Sequence, residues 1–449
     1  MPLPTRPSNE FPAFANTQTL AVIVKQTLNY KNHIQDMQNL TIKRIEQIDA
    51  LRGFALFGII MTHLFEGYLA SMTPPQYLGF NILYPIDSFA QVVIQNLFVG
   101  KFYAIFSMLF GLSFYLILDQ KKGSSSLKFI WRLVLLFLIG FIHHIHYRGD
   151  FLTVYAVFGF ALVLFRKVPD KIILILGLFL AFNGPSIVTN SISLIQKSRQ
   201  DTVQTIKETK NIAFNNSADN PVTQATAYFD LILKGDYRKL LASNSTTGFY
   251  NKYNYLKFSG RLWVIPGLFL LGLWIGRKKW HEQIDKIPLV KIISFSALIG
   301  IPLTIISYYF SQPSNIEFVQ YVGSIAKDAS NIFMPLLYIV ILLSLFKLSS
   351  TNKIASLLIP VGKMGLTTYV MQSAFGIFIF YGYGLGLLLK LSGTAALGLG
   401  LIFFLIQILF SKWWFSKFKF GPLEWLWRSG TNGSWQSFKI TVEQKTTNR

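Results

Sequence analysis

Long apolar segments alternate with shorter polar connections along most of the chain, the pattern typical of a polytopic membrane protein. A transmembrane helix needs about 20 mostly apolar residues. Runs that approach this length predict ten spans, at residues 48–69, 102–118, 129–145, 151–165, 172–188, 262–275, 292–310, 332–348, 365–381 and 395–410. The sequence therefore predicts an all-α fold, a polytopic helical bundle with about ten transmembrane helices.

Polar stretches between and beyond these spans predict the domain organisation. Residues 1–47 are expected to form a flexible cytoplasmic arm, and the amphipathic piece 85–100 a helix at the outer interface. An aromatic cluster at 249–255 suggests that the long polar loop packs on the membrane face. The expected units are the arm 1–47, a five-span half 48–195, an extracytoplasmic loop 196–260, a second five-span half 261–430 and a cytoplasmic tail 431–449.

Composition and charge agree with a protein embedded in a lipid bilayer. Hydrophobic residues make up 52% of the chain and charged residues only 14%, against roughly a quarter in soluble proteins. A net charge of +22 is compatible with nucleic acid as a partner, but the basic residues follow the connections between spans instead. Under the predicted topology, fifteen Lys and Arg fall in short inner loops and four in short outer ones. This bias predicts both termini in the cytoplasm and excludes a nucleic-acid binder.

The first predicted span carries ionisable residues, which are costly inside a membrane and often mark functional sites. Asp49 and Arg52 are three residues apart, so they share a helix face and can form an ion pair. This pair is either a structural salt bridge near the inner headgroups or part of a binding pocket. His63 lies eleven residues after Arg52 on the same face, about 16 Å further along the helix. It is a candidate general base, or a hydrogen-bonded core histidine.

A second concentration lies at the outer end of the third span, where His143, His144 and His146 precede Arg148 and Asp150. His143 and His146 would share a helix face, and with Asp150 they could hold a divalent metal. A turn after His146 would break that face, and an Asp that orients a His or pairs with Arg148 is an equal alternative. We therefore predict no metal. The absence of cysteine excludes disulfides, thiolate catalysis and Cys-ligated metal sites.

Three further residues are candidates for substrate or cofactor binding. Tyr369 and Gln372 belong to a polar stripe in the ninth span, which could line a substrate path or bond neighbouring helices. Lys101 stands at the outer start of the second span, where the positive-inside rule disfavours a cation. It could extend to the interface, or it could face an anionic ligand.

Several blocks together resemble the YeiB family of bacterial membrane proteins. They are DALRGFALFGI at 49–59, KFYAIFSMLFG at 101–111, GFIH at 140–143, GDFLTVY at 149–155, GKMGLTTYVMQS at 362–373 and GPLEWLWR at 421–428. The blocks occur in the family's order over nearly the whole chain. The resemblance implies a multispan protein of the bacterial plasma membrane without a defined activity.

The YeiB family is in turn distantly similar to two groups of transmembrane acyltransferases. These are the acyltransferase-three group and the heparan-α-glucosaminide N-acetyltransferase group. The first carries Arg or Lys and then His at the spacing of Arg52 and His63. In YeiB proteins the position of His63 is often Asn, which makes His143 the competing catalytic candidate.

This similarity implies an O- or N-acyltransferase with acyl-CoA as a co-substrate that enters from the cytoplasm. Basic inner loops would meet the CoA phosphates, and Arg52 would position the donor. His63 or His143 would deprotonate a glycan or another small-molecule acceptor. The alternative hypothesis is a transporter or exporter of a small polar or amphipathic molecule, for which the buried polar groups would form a path.

Overall fold

Helices make up the regular secondary structure of the computed structural model, which describes residues 46–119, 126–200, 221–310, 312, 316–347 and 352–440. Within these ranges no strand occurs, apart from an isolated antiparallel bridge between Phe418 and Lys439. The prediction of an all-α membrane bundle is therefore confirmed. Most of the predicted arm (residues 1–45), part of the predicted loop (201–220) and the end of the tail (441–449) lie outside the described residues.

The helices before residue 261 include those that carry both histidine-containing segments. In chain order they are α1 (Glu46–Phe65), α2 (Pro85–Val93), α3 (Phe102–Phe114), α4 (Ser126–His146), α5 (Leu152–Leu164), α6 (Asp170–Ala181), α7 (Gly184–Gln200), α8 (Pro221–Lys234), α9 (Tyr237–Ser245) and α10 (Gly248–Phe258). The described part of the predicted loop 196–260 is thus helical. This was not apparent from its polar composition.

Seven helices follow in the described residues from 261 onward, and the three longest of them have 22, 31 and 23 residues. They are α11 (Arg261–Arg277), α12 (Leu289–Phe310), α13 (Glu317–Lys347), α14 (Asn352–Lys363), α15 (Gly365–Phe380), α16 (Gly393–Phe415) and α17 (Pro422–Asn432). Large apolar side chains such as Leu298 on α12 and Leu409 on α16 are exposed. Exposed apolar faces of this kind suit a lipid environment.

Six helical segments are long and apolar enough to cross a membrane, and three bent helix pairs raise this number to nine if each pair is one span. The pairs are α6 with α7, α10 with α11, and α14 with α15, bent by 53°, 73° and 83°. Nine of the ten predicted spans correspond to these candidates. The remaining one, 151–165, contains α5, whose 13 residues are too few to cross alone. The exact number of spans and the side of the termini remain predictions.

Two predicted segments differ in detail from the structure. The span 172–188 is broken, because Asn183 takes a positive φ of 56° between α6 and α7. The piece 85–100, predicted as a separate interfacial helix, instead continues through a π-helical turn towards α3. Pro85–Leu118 is thus a single 34-residue candidate span. Both differences arise because composition does not show where a helix bends.

Glycines bring α1 against α14 and so fix the position of the Asp49–Arg52 pair. A β-carbon at Gly362 would collide with the carbonyl oxygen of Asp49, and one at Gly53 with the carbonyl oxygen of Leu358. Small residues allow this close approach of helix backbones, as is common in membrane bundles.

The predicted topology can be tested at two exposed positions. Lys167 belongs to a predicted inner loop and Ser245 to the predicted outer loop. Because the chain has no cysteine, single cysteines introduced at these positions are the only thiols present. A membrane-impermeant maleimide applied to intact cells is expected to label the Ser245→Cys variant but not the Lys167→Cys variant. Labelling of both variants from the same side would contradict the topology.

Candidate active site

A short turn between α4 and α5 brings His143 and Asp150 together. Nδ1–H of His143 donates a hydrogen bond to Oδ1 of Asp150, at 2.9 Å. The carboxylate also accepts hydrogen bonds from the backbone N–H groups of Leu152 and Thr153, both at 3.0 Å. Asp150 therefore caps the start of α5 and orients the imidazole ring at the same time. Of the two roles considered for Asp150, the structure shows contact with a histidine and not with Arg148.

Asp150 is kept ionised by its surroundings. Burial opposes ionisation, but the nearby Lys252 ammonium and the hydrogen bond from His143 outweigh it and hold the pKa of Asp150 well below its usual range. Lys252 Nζ lies 3.3 Å from Oδ2 of Asp150 and 3.0 Å from the hydroxyl of Thr153. A charged carboxylate can only accept hydrogen bonds, so the proton of His143 is held on Nδ1. No local pattern pointed to Lys252, which is 102 residues away on α10.

The other ring nitrogen of His143 is not engaged by any described residue. Nε2 is buried and has no hydrogen-bond partner among the described residues. The rings of Tyr369 and Tyr147 flank the imidazole, with centroids at 5.3 and 5.8 Å. Tyr369 is itself engaged, because its hydroxyl accepts from the N–H of Phe151. An imidazole with an oriented Nδ1–H and a vacant Nε2 is arranged as a general base.

His63 approaches His143 across Tyr147. The Tyr147 hydroxyl lies 3.5 Å from Nδ1 of His63, and Tyr68 packs against the imidazole with ring centroids 5.3 Å apart. Tyr147 is fully buried, whereas His63 is half-buried. The two histidines proposed as alternative bases therefore belong to one site.

Arg261, at the start of α11, adds a positive charge to this site. Its guanidinium donates to the Tyr255 hydroxyl, lies 4.6 Å from the centroid of the Tyr103 ring, and acts electrostatically on His63 and Glu66. Glu66 is exposed and Tyr255 is 47% exposed, so this side of the site lies at the surface of the protein. We refer to His63, His143, Tyr147, Asp150, Lys252 and Arg261 as the histidine cluster.

Arg52 does not belong to the histidine cluster. It donates to Asp49 at 2.6 Å and to Ser113 at 2.5 Å, near the opposite end of α1. There it lies within electrostatic range of Arg132 and Arg428. Arg52 and His63 share a face of α1, but their spacing of eleven residues places them at different depths along the helix. The salt bridge is present, and the surrounding guanidinium groups make this end of the bundle strongly basic.

His146 and its neighbours lie outside the cluster. His146 is exposed, and its Nδ1–H donates to the carbonyl oxygen of Ile142 at 2.8 Å, so it does not join His143 and Asp150. His144 and Arg148 instead contact Asn244 on α9, at 3.1 and 3.2 Å. In the part of the chain that the structure describes, no group of three His, Asp or Glu side chains could hold a metal ion.

The two remaining candidates differ in environment. Gln372 donates to the Leu56 carbonyl oxygen and to Gln407, at 3.3 and 3.0 Å, so it bonds neighbouring helices. Lys101 is only 2% exposed and thus does not extend to the interface.

Sequence comparisons place this architecture among proteins without an assigned activity. Residues 275–434 match a family described as "Protein of unknown function (DUF418)". The chain is 29% identical to uncharacterized protein YxaH of Bacillus subtilis, over 88% of this chain and 96% of that protein. It is 26% identical to an uncharacterized 39.9 kDa protein of Bacillus acidopullulyticus, over 87% of this chain and 94% of that protein.

A third relative bears the name of the YeiB family, which the sequence motifs resemble. The chain is 25% identical to uncharacterized protein YeiB of Escherichia coli, over 87% of this chain and 97% of that protein. The resemblance to YeiB-type membrane proteins is therefore confirmed over most of the chain. The more distant similarity to acyltransferases remains a prediction.

Proposed function

We propose that this membrane protein is an acyltransferase of the bacterial plasma membrane that moves an acyl group from acyl-CoA to a glycan or another small-molecule acceptor. The observation that carries the proposal is the His143–Asp150 pair, with Nδ1–H fixed by the carboxylate and Nε2 without a partner. The bacterial origin of the relatives supports the location.

The proposed reaction requires one base and no protein nucleophile. The acceptor hydroxyl or amine gives its proton to Nε2 of His143 as its oxygen or nitrogen attacks the thioester carbonyl carbon. The C–S bond then breaks, and the CoA sulfur leaves with the proton from the imidazolium. Asp150 stabilises the imidazolium because it is ionised and in contact with Nδ1–H. Arg261 can offset negative charge that develops near the cluster.

The basic end of the bundle provides a place for the donor. Arg52, Arg132 and Arg428 lie within electrostatic range of one another, and Arg132 stacks 3.9 Å above the centroid of the Trp427 ring. Guanidinium groups bind phosphates well, and aromatic faces stack on nucleobases. The donor's pantetheine arm would then bridge the distance along α1 from Arg52 to His63.

Transport of a small polar or amphipathic molecule is the second candidate, and the three bent helix pairs favour it. Helices broken inside a membrane commonly line substrate sites in transporters. The break between α10 and α11 lies next to Arg261, and so next to the histidine cluster.

One experiment separates these candidates. Purified protein in nanodiscs receives acetyl-CoA labelled in the acetyl group, together with a lipid and glycan extract as acceptor. Acyl transfer predicts label in the acceptor fraction and free CoA in equal amount. If the protein neither binds nor consumes the donor with any acceptor fraction, acyl transfer is contradicted. Uptake of extract components into sealed proteoliposomes without donor consumption would favour the transporter.

A further inference from the structure

Lys101 is a buried cation to which no described residue supplies a counter-charge. It is 2% exposed, and no side chain or carbonyl group among the described residues accepts a hydrogen bond from its ammonium. Lys252, the comparable buried lysine, has both a carboxylate and a hydroxyl within 3.3 Å. Lys252 therefore has a counter-charge, whereas Lys101 has none among the described residues.

No charged group near Lys101 among the described residues pairs with its ammonium. Among the described residues, the charged side chain within electrostatic range of Lys101 is Lys327 on α13, which is exposed and of the same sign. Asp328, the neighbouring carboxylate on α13, instead accepts a hydrogen bond from Asn183 at 2.9 Å. One turn further, the side chain of Asn331 lies against Gly100, and its Oδ1 is buried without a partner.

This arrangement connects to the histidine cluster through Glu66. Lys327 and Arg261 both act electrostatically on Glu66, and Arg261 acts on His63. Lys101 also lies two residues before Tyr103, whose ring contacts Arg261. Charged side chains within electrostatic range of one another therefore lead from the region of Lys101 to that of the proposed base.

Burying an unpaired ammonium is costly, so such a side chain either loses its proton or binds an anion. We propose that Lys101, assisted by Lys327, binds an oxyanion, either a carboxylate or a phosphate. If the cluster transfers acyl groups as proposed above, this oxyanion belongs to the acceptor. The acceptor is then an acidic molecule, held by its charge while its hydroxyl or amine faces His143.

Anion binding can be measured without acyl-CoA, so this test is independent of the proposed function. The protein is placed in phosphatidylcholine nanodiscs, and its thermal unfolding is followed by tryptophan fluorescence at constant pH and ionic strength. Potassium phosphate or potassium acetate replaces chloride stepwise. A parallel sample uses phosphatidylglycerol nanodiscs in chloride, which offers the phosphate on a lipid headgroup. We expect stabilisation in at least one arm, because a ligand that binds the folded state raises the unfolding temperature.

Substitutions test whether Lys101 is responsible for the stabilisation by the anion. Lys101→Met keeps the length of the side chain and is expected to weaken the anion's apparent affinity about tenfold or more. Lys390→Met, at an exposed position, is the control and should respond like the wild type. If Lys101→Met does not fold, Lys327→Gln decides instead, with a smaller loss of affinity expected. No stabilisation of the wild type in any arm, or an unchanged response in the deciding variant, would overturn the proposal.

Discussion

Replacing Asp150 by asparagine is expected to lower acyl transfer by about 10²–10⁴-fold, the contribution typical of a positioned general base. An amide can donate to Nδ1 of His143, which would move the imidazole proton to Nε2 and remove the base. The remaining side-chain oxygen can still accept the hydrogen bond from Thr153, since asparagine also caps helices, but the amide nitrogen that faces His143 cannot accept the one from Leu152. Turnover of labelled acetyl-CoA by protein in nanodiscs measures the effect.

A matched control is available at another aspartate that caps a helix. Asp236 accepts a hydrogen bond from the N–H of Lys239 at the start of α9, at 3.1 Å, and has no histidine partner among the described residues. Asp236→Asn should keep wild-type turnover. If Asp150→Asn also kept it while remaining folded, Asp150 would have only a structural role, and His143 would not depend on it.

The second large effect is on stability, at the contact between α3 and α11. A β-carbon at Gly272 would collide with the carbonyl oxygen of Met108, and one at Gly111 with that of Phe269. Neither obstacle can rotate away, because both are backbone atoms. Gly272→Ala is therefore expected to lower the free energy of unfolding by about 3 kcal/mol, the upper part of the usual cost of overpacking.

The same substitution at another helical glycine provides the comparison. Gly398 lies inside α16 and has no atom within 4 Å of the position of an added β-carbon. Gly398→Ala should leave stability unchanged or raise it by about 1 kcal/mol, because alanine is the better helix former. Thermal unfolding of the detergent-solubilised variants, followed by circular dichroism, distinguishes the two. An equal effect of both substitutions would contradict the close approach of α3 and α11.

The apolar pattern predicted where helices occur but not where they bend. Length and hydropathy identified the segments that became α1, α4, α12 and α16, because the membrane imposes both properties. The bend after α6 coincides with Asn183 and Gly184, a dipeptide typical of turns. The mean hydropathy of the whole segment is little changed by such a pair, so the hydropathy pattern predicts one continuous span.

The site could be predicted only where its residues are close in sequence. His143 and Asp150 are seven residues apart, and the turn between them follows from the end of α4 at His146. Lys252 and Arg261 come from a segment predicted as a long polar loop and its border. Basic residues near long loops carry little topological information, so nothing local singled them out. The cost of burying ionisable groups predicted candidate residues but not how they group, as the separation of Arg52 from the cluster demonstrates.

The most direct test of the proposed site compares two histidines one turn of α4 apart. His143 is buried with a vacant Nε2, whereas His146 is exposed and bonded to its own helix. Transfer of labelled acetyl groups by purified protein in nanodiscs should fall at least 10²-fold in His143→Ala and remain unchanged in His146→Ala. Equal turnover in the two variants, with both folded, would contradict His143 as the base.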